Sequence, residues 1–269
     1  MNDHNNYTDS SFNLYQAYTY VLLLQLGKTT FNYAVVYKNR LLASGQHIDI
    51  KELSEPDLLI DLLSATYKKV IIGLPATNST LVPKSIFDED HVGEFASFLD
   101  VKDDEKVFAQ TLDLQNVIVY KTDSALVSAV EKFNLQNTYY TAEGWIKAIK
   151  KSSPPDSNLY LNINKNTVEF LYFLSGSIRF YNTFQFENED DLAYYTSFVC
   201  DELQLNPAYT ALVLSGDIDA GDKNMLRLAD FYPKIELNNL GVLELPEQFN
   251  GNKLLALAAL SLCGSSEAL

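Results

Sequence analysis

Apolar positions along this chain fall into two similar runs of short strands and helices. Between residues 18 and 48 they form three stretches, about 18–26, 30–37 and 40–48, rich in Val, Leu, Tyr and Phe. Gly27-Lys28 and Lys38-Asn39 interrupt them, which predicts three strands joined by short hairpin turns. From Glu55 to Tyr67 the period changes. Leu58, Leu59, Leu62 and Leu63 share one helical face, with Ser54 as N-cap and Pro56 in the first turn. A short apolar strand follows at Lys69–Leu74. An extended segment at 80–87, a helix at 88–99, strands at 106–113 and 116–121 and a helix at 123–134 come next. Thr138–Thr141 and Ala142–Lys150 complete the half.

Lys150-Lys151-Ser152-Ser153-Pro154-Pro155 is polar, carries two prolines and reads as a linker. Beyond it the opening theme returns, with strands at about 158–164, 167–174 and 177–186 and turns at Lys165-Asn166 and Ser175-Gly176. Leu159, Leu161 and Ile163 alternate with Tyr160, Asn162 and Asn164, the period of a half-buried strand. A helix at 189–204 has Asn188 as N-cap and Asp191 three residues on, a variant of the capping box. A strand at 209–215 and helices at 218–231 and 253–262 finish the chain. Each half therefore reads strand–strand–strand–helix–strand, an internal duplication of long period. That order implies an α/β fold with mixed sheets. The expected division is a polar tail at 1–17, a first unit at 18–150 and a second at 151–269.

Composition narrows the function classes. The chain has 269 residues and a net charge of −15. Such a surface repels phosphate backbones and anionic lipids, which argues against nucleic acid or a membrane surface as partner. The apolar run Tyr20–Leu26 is too short to span a bilayer. Cys200 and Cys263 both fall within apolar helical patterns and read as buried reduced thiols. With no basic, apolar leader pattern near Met1, a cytoplasmic location is expected. His4, His47 and His91 are scattered, with no metal-ligand spacing and no catalytic triad.

Several segments carry a resemblance: Thr80-Leu81-Val82-Pro83 with Phe87, Asn182-Thr183-Phe184, Asp191 with Tyr194-Tyr195, and Leu214-Ser215-Gly216. With the repeated element order, they resemble the actin-like ATPase (ribonuclease H-like) fold and, within it, the bacterial domain-of-unknown-function family 3822. A more distant similarity is to actin-like pilus-assembly proteins, which are partner-binding scaffolds. The resemblance implies two β-β-β-α-β halves around a cleft. It also implies that ATP with magnesium, where bound, would meet the first hairpin of each half.

That implication singles out Gln25, Gly27, Lys28 and Thr29 on the first hairpin and Asn162, Asn164, Lys165, Asn166 and Thr167 on the second. Ser215, Gly216 and Asp217 would stand near an adenosine. Neither hairpin has the Asp that the superfamily pattern expects. Gln25 and Asn162 are neutral amides, poor magnesium anchors and unable to act as bases. Lys28, Lys165 and Thr29 could meet phosphate, but they are better explained as ordinary turn residues. Gly27-Lys28-Thr29 imitates the end of a P-loop, but Leu22 stands where its first glycine belongs. No catalytic or metal-ligating residue is therefore named, and no cofactor is certain. The expectation is a non-hydrolysing scaffold, a pseudo-ATPase that binds an unidentified protein. The alternative is an ATPase or small-molecule kinase drawing carboxylates from Asp49, Asp123 or Asp217.

Overall fold

The computed structural model describes residues 6–133 and 135–263. In chain order the strands are β1 (Asn6–Thr8), β2 (Val21–Leu26), β3 (Thr30–Tyr37), β4 (Arg40–Asp49), β5 (Lys69–Leu74), β6 (Asn78–Pro83) and β7 (Glu105–Thr111). They continue with β8 (Asn116–Asp123), β9 (Thr138–Tyr140), β10 (Asn158–Asn164), β11 (Thr167–Leu174), β12 (Ser177–Gln185), β13 (Ala211–Gly216) and β14 (Lys234–Leu237). The α-helices are α1 (Lys51–Ser54), α2 (Ile60–Ser64), α3 (Val92–Ala96), α4 (Ser124–Val130), α5 (Glu143–Lys151), α6 (Glu189–Glu202), α7 (Lys223–Ala229) and α8 (Gly251–Ala259).

A strand that is apolar on both faces must be covered on both. In β2, Leu22, Leu24 and Leu26 face one core, with Leu53, Leu62, Leu63 and Val127 from α1, α2 and α4. Val21 and Leu23 face the other, covered by Leu254, Leu257 and Ala258 of α8. The second half repeats the device. Leu159, Leu161 and Ile163 pack under Leu192 and Val199 of α6 and Leu228 of α7. Tyr160 and Leu171 pack under Trp145, Ile146 and Ile149 of α5 with Leu255 and Ala259 of α8. Helices α5 and α8 thus form a central layer between the sheets. They touch at Gly144, where any Cβ would overlap the Ala259 carbonyl.

The duplication is a duplication of topology. The first sheet runs β1-β4-β3-β2-β5-β9 and the second β12-β11-β10-β13-β14. β2 and β10 are the equivalent strands: each pairs antiparallel with the strand after it, β3 or β11, and parallel with the strand that follows the helical segment, β5 or β13. The register repeats as well. Gln25 faces Asn32 and Gly73, while Asn162 faces Glu169 and Ser215. The first half carries in addition a three-stranded sheet, β6-β8-β7, inserted between β5 and α4.

Several expectations need correction. Residues 6–8, placed in a polar tail, form an edge strand on β4. Tyr7 packs edge-on against Phe249, and Arg40 pairs with Asp9. Residues 1–5 of that tail lie outside the described residues. The helix expected at 55–67 is broken, because the Glu52 carboxylate takes the N–H groups of Asp57 and Leu59. Ser54 ends α1 rather than capping a helix. The helix expected at 218–231 starts only at Lys223, after Gly221 at φ +79° and the N-cap Asp222. β14 was not foreseen. In α6, Asn188 caps as expected, but Asp191 accepts from the Glu187 N–H rather than from the cap itself.

Candidate functional site

The sites implied for a nucleotide follow from the repeated register. The tight turns of the two first hairpins are equivalent, since Gly27 N–H bonds to Thr30 O and Asn164 pairs with Thr167. Lys28 and Lys165 therefore occupy the same position in the two halves, both exposed, with Thr29 and Asn166 beside them. The amides behind the turns differ in their partners. Gln25 Oε1 accepts from Asn32 Nδ2 at 3.3 Å. Asn162 Nδ2 donates to Glu169 Oε2 at 2.6 Å, and Asn162 is buried.

Glu169 is the residue that sequence reasoning missed. It sits in β11 between Val168 and Phe170, directly across from Asn162. A single charge in so apolar a strand, opposite an amide, was the available signal. Tyr181 Oη donates to Glu169 Oε1 at 2.6 Å, and the Tyr140 hydroxyl lies 2.6 Å from that of Tyr181. Burial pushes the Glu169 carboxyl above its usual range, against the downward pull of the bonds from Tyr181 and Asn162. Burial also pushes the Tyr140 and Tyr181 phenols up. This network joins β9 of the first sheet to β12 of the second. Both carboxylate oxygens of Glu169 are engaged inside it.

Ser215, Gly216 and Asp217 lie against the second hairpin. Ser215 pairs with Asn162, and the Asp217 N–H donates to Ile163 O at 2.6 Å. Gly216 has φ +89°, and a Cβ there would overlap the Ile163 carbonyl. The glycine thus has a packing reason of its own. Ser215 is fully buried and Trp145 Nε1 donates to its hydroxyl at 3.3 Å. The start of α8 leans on the next residues: Asn252 bonds to Ile218 O and Lys253 pairs with Asp219. The structure brings the second hairpin and the 215–217 turn together, and leaves Gln25, Gly27, Lys28 and Thr29 in the other sheet.

The alternative carboxylates are dispersed. Asp49 bonds to Lys51 N, Asp123 caps α4, and Asp217 is exposed after Gly216. Among the described residues no group of three or more His, Cys, Asp or Glu side chains comes together to hold a metal. Cys200 and Cys263 are free and buried, with burial pushing the Cys263 thiol up to about 12. Among the described residues no helix is long and apolar enough to cross a membrane.

A sheet pair of this duplicated register, with two helices between, matches known folds. The model of the family DUF3822, described as protein of unknown function, covers residues 9–235. The chain belongs to that family. A Bacteroides thetaiotaomicron protein with actin-like ATPase fold and unknown function is 18% identical, with TM-score 0.77, over 93% of this chain and 99% of that one. The PilM–PilN type IV pilus biogenesis complex matches with TM-score 0.61 at 13% identity, over 90% of this chain and 97% of that one. The cytoplasmic domain of EpsL, an inner-membrane component of the Vibrio cholerae type II secretion system, gives 0.50 at 13%, over 90% and 94%. No curated protein matches. These likenesses show the actin-like ATPase fold. The segments that carried the family resemblance fall on β6, β12 and α6 and at the end of β13, with Phe87 beyond β6 packed against Val82, Leu99 and Val119. Of the adjacent tyrosines, Tyr194 is 65% exposed while Tyr195 stacks on Phe184 at 4.9 Å.

Proposed function

We propose that this chain is a non-hydrolysing actin-like scaffold, a protein-interaction module for an unidentified protein partner. The observation that carries the reading is the state of Glu169. Among the described residues it is the one carboxylate carried by the two strands of the second hairpin, and it is buried with one oxygen on Asn162 and the other on Tyr181, while Asp217 stands exposed beside that hairpin. A magnesium ion needs oxygen ligands it can reach, and a general base needs a free lone pair at its substrate. Asn162 and Gln25 supply neither charge nor basicity. The fold is also that of PilM, seen in complex with PilN, and of EpsL, a component of a secretion system. The strong negative charge favours a protein partner over nucleic acid and over membrane insertion. The buried thiols fit a cytoplasmic location.

The equivalent positions of Lys28 and Lys165 support a second reading, in which ATP with magnesium binds between the turns. The site would then comprise Gln25, Gly27, Lys28, Thr29, Asn162, Asn164, Lys165, Asn166, Thr167, Ser215, Gly216 and Asp217. Thermal melting with and without ATP and magnesium separates the two. The scaffold reading expects no shift in midpoint. A shift abolished by Lys28→Ala with Lys165→Ala supports the nucleotide site instead.

A further inference from the structure

A cleft of about 930 Å³, lined by none of the residues named for a nucleotide, opens between the inserted sheet and the second sheet. One wall is the end of β6 with Lys84, and the other is β12 from Ile178 to Tyr181. Among the described residues β6 is hydrogen-bonded only to β8 and β12 only to β11, and the two strands approach each other without pairing. Two unpaired strand edges therefore border one groove, and an unpaired edge is a template for another strand.

The chain already shows what that edge accepts. At one end of the groove, side chains stand in for a neighbouring strand. Asp113 Oδ2 takes the Ile178 N–H at 3.2 Å, and Asn116 Nδ2 donates to Ile178 O at 3.1 Å. One residue of the β12 edge is thereby bonded on both its backbone groups by the protein itself. Asp113 is spent in this role, since it also accepts from Gln115 and Asn116.

Charge then selects the occupant. The chain has 35 acidic and 20 basic residues, yet among the described residues the one acid at the groove is Asp113 at its end, buried, bonded to Ile178 and paired with Lys150. Lys84 and Arg179 do line it, both exposed, and neither forms an ion pair among the described residues. At the rim Leu114 is 89% exposed and Leu174 45% exposed. A groove with a strand edge, two unpaired cations and apolar side chains fits an extended peptide that carries acidic and apolar residues.

We propose that this groove binds an extended acidic segment of a partner protein, which adds to the β12 edge and sets its carboxylates against Lys84 and Arg179. The inference rests on the scaffold reading and names the kind of partner. The test uses the full chain and a display library of short random peptides. Acidic–apolar sequences are expected to be enriched. A synthetic peptide of the enriched sequence should bind the Lys84→Glu, Arg179→Glu variant roughly tenfold or more weakly, as the loss of charge-assisted contacts implies. Both substitutions are on exposed side chains, so an unchanged melting midpoint shows that the variant is folded. The variant should also gain affinity for the same peptide with its acids replaced by lysine. Enrichment without acidic residues, or equal binding by the variant, overturns the proposal. So does a wild-type dimer in solution that the variant dissolves, which makes the occupant a second copy. None of these results touches the scaffold reading, which falls instead if the chain turns over ATP.

Discussion

The hydroxyls of Tyr140 and Tyr181 meet at 2.6 Å and join the last strand of the first sheet to the outer strand of the second. Tyr181 passes the connection on to Glu169, and Glu169 to Asn162. The two duplicated halves are therefore linked through a buried polar chain as well as through apolar helices. Such a chain stabilises to the extent that its members are satisfied, and at its end the buried Asn162 Oδ1 has no hydrogen-bond partner among the described residues.

Replacing Tyr181 with Phe removes the donor to Glu169. The expected cost is about 1–3 kcal/mol, the usual penalty for orphaning a buried polar group. The pH dependence has a definite sign. Burial raises the folded carboxyl, so the contribution of Glu169 to stability is greatest below the unfolded value and declines as pH rises through the folded one. Tyr181 opposes that decline by bonding the charged form. Urea unfolding should therefore show a larger loss for Tyr181→Phe at pH 8 than at pH 5.

A second buried pair gives the opposite trend. Lys121 Nζ lies 2.7 Å from Glu105 Oε2, with the two side chains only 7% and 9% exposed. The Lys121 hydrogen bond, followed by those of Thr77 and Lys102, holds the Glu105 carboxyl down at about 2. Its contribution is thus complete at neutral pH and is lost as pH falls from the ordinary 4.5 towards 2. Lys121→Met should destabilise the protein at pH 7. The gap between variant and wild type should narrow steadily in melts recorded through that acid range.

The contact between α5 and α8 leaves no room at Gly144, and what a Cβ would meet is the Ala259 backbone rather than a flexible side chain. Gly144→Ala should destabilise by about 1–3 kcal/mol, as overpacking does. In a calorimeter this is a fall of roughly 2–4 °C per kcal/mol for a chain of this size class. The loss runs against the helix propensity of alanine, which on its own would raise stability.

Strands and hairpins were legible because the alternation in β10 and the turns after β2 and β10 are local signals. The N-cap Asn188 was legible for the same reason. What was hidden depends on distant partners. β1 is three residues that become a strand only because β4 offers an edge. The 55–67 helix failed because Glu52 captures the backbone that a helix would have used. The inserted sheet could be read as strands but not as a separate sheet, since its order β6-β8-β7 is set by pairing across many residues. In the candidate site, Gln25 and Asn162 could be named as equivalent amides. Their unequal partners, Asn32 and Glu169, emerge only from the register.

The central claim is that the chain does not hydrolyse ATP, and phosphate release by purified protein tests it most directly. With ATP and magnesium, the wild type should release phosphate no faster than the Lys28→Ala, Lys165→Ala double variant. Gln25 and Asn162 offer no charged metal anchor there, Glu169 is buried against Tyr181 and Asn162, and the exposed Asp217 belongs to no group of three or more His, Cys, Asp or Glu side chains among the described residues. A magnesium-dependent rate that disappears in the double variant contradicts the scaffold account and makes the protein an enzyme.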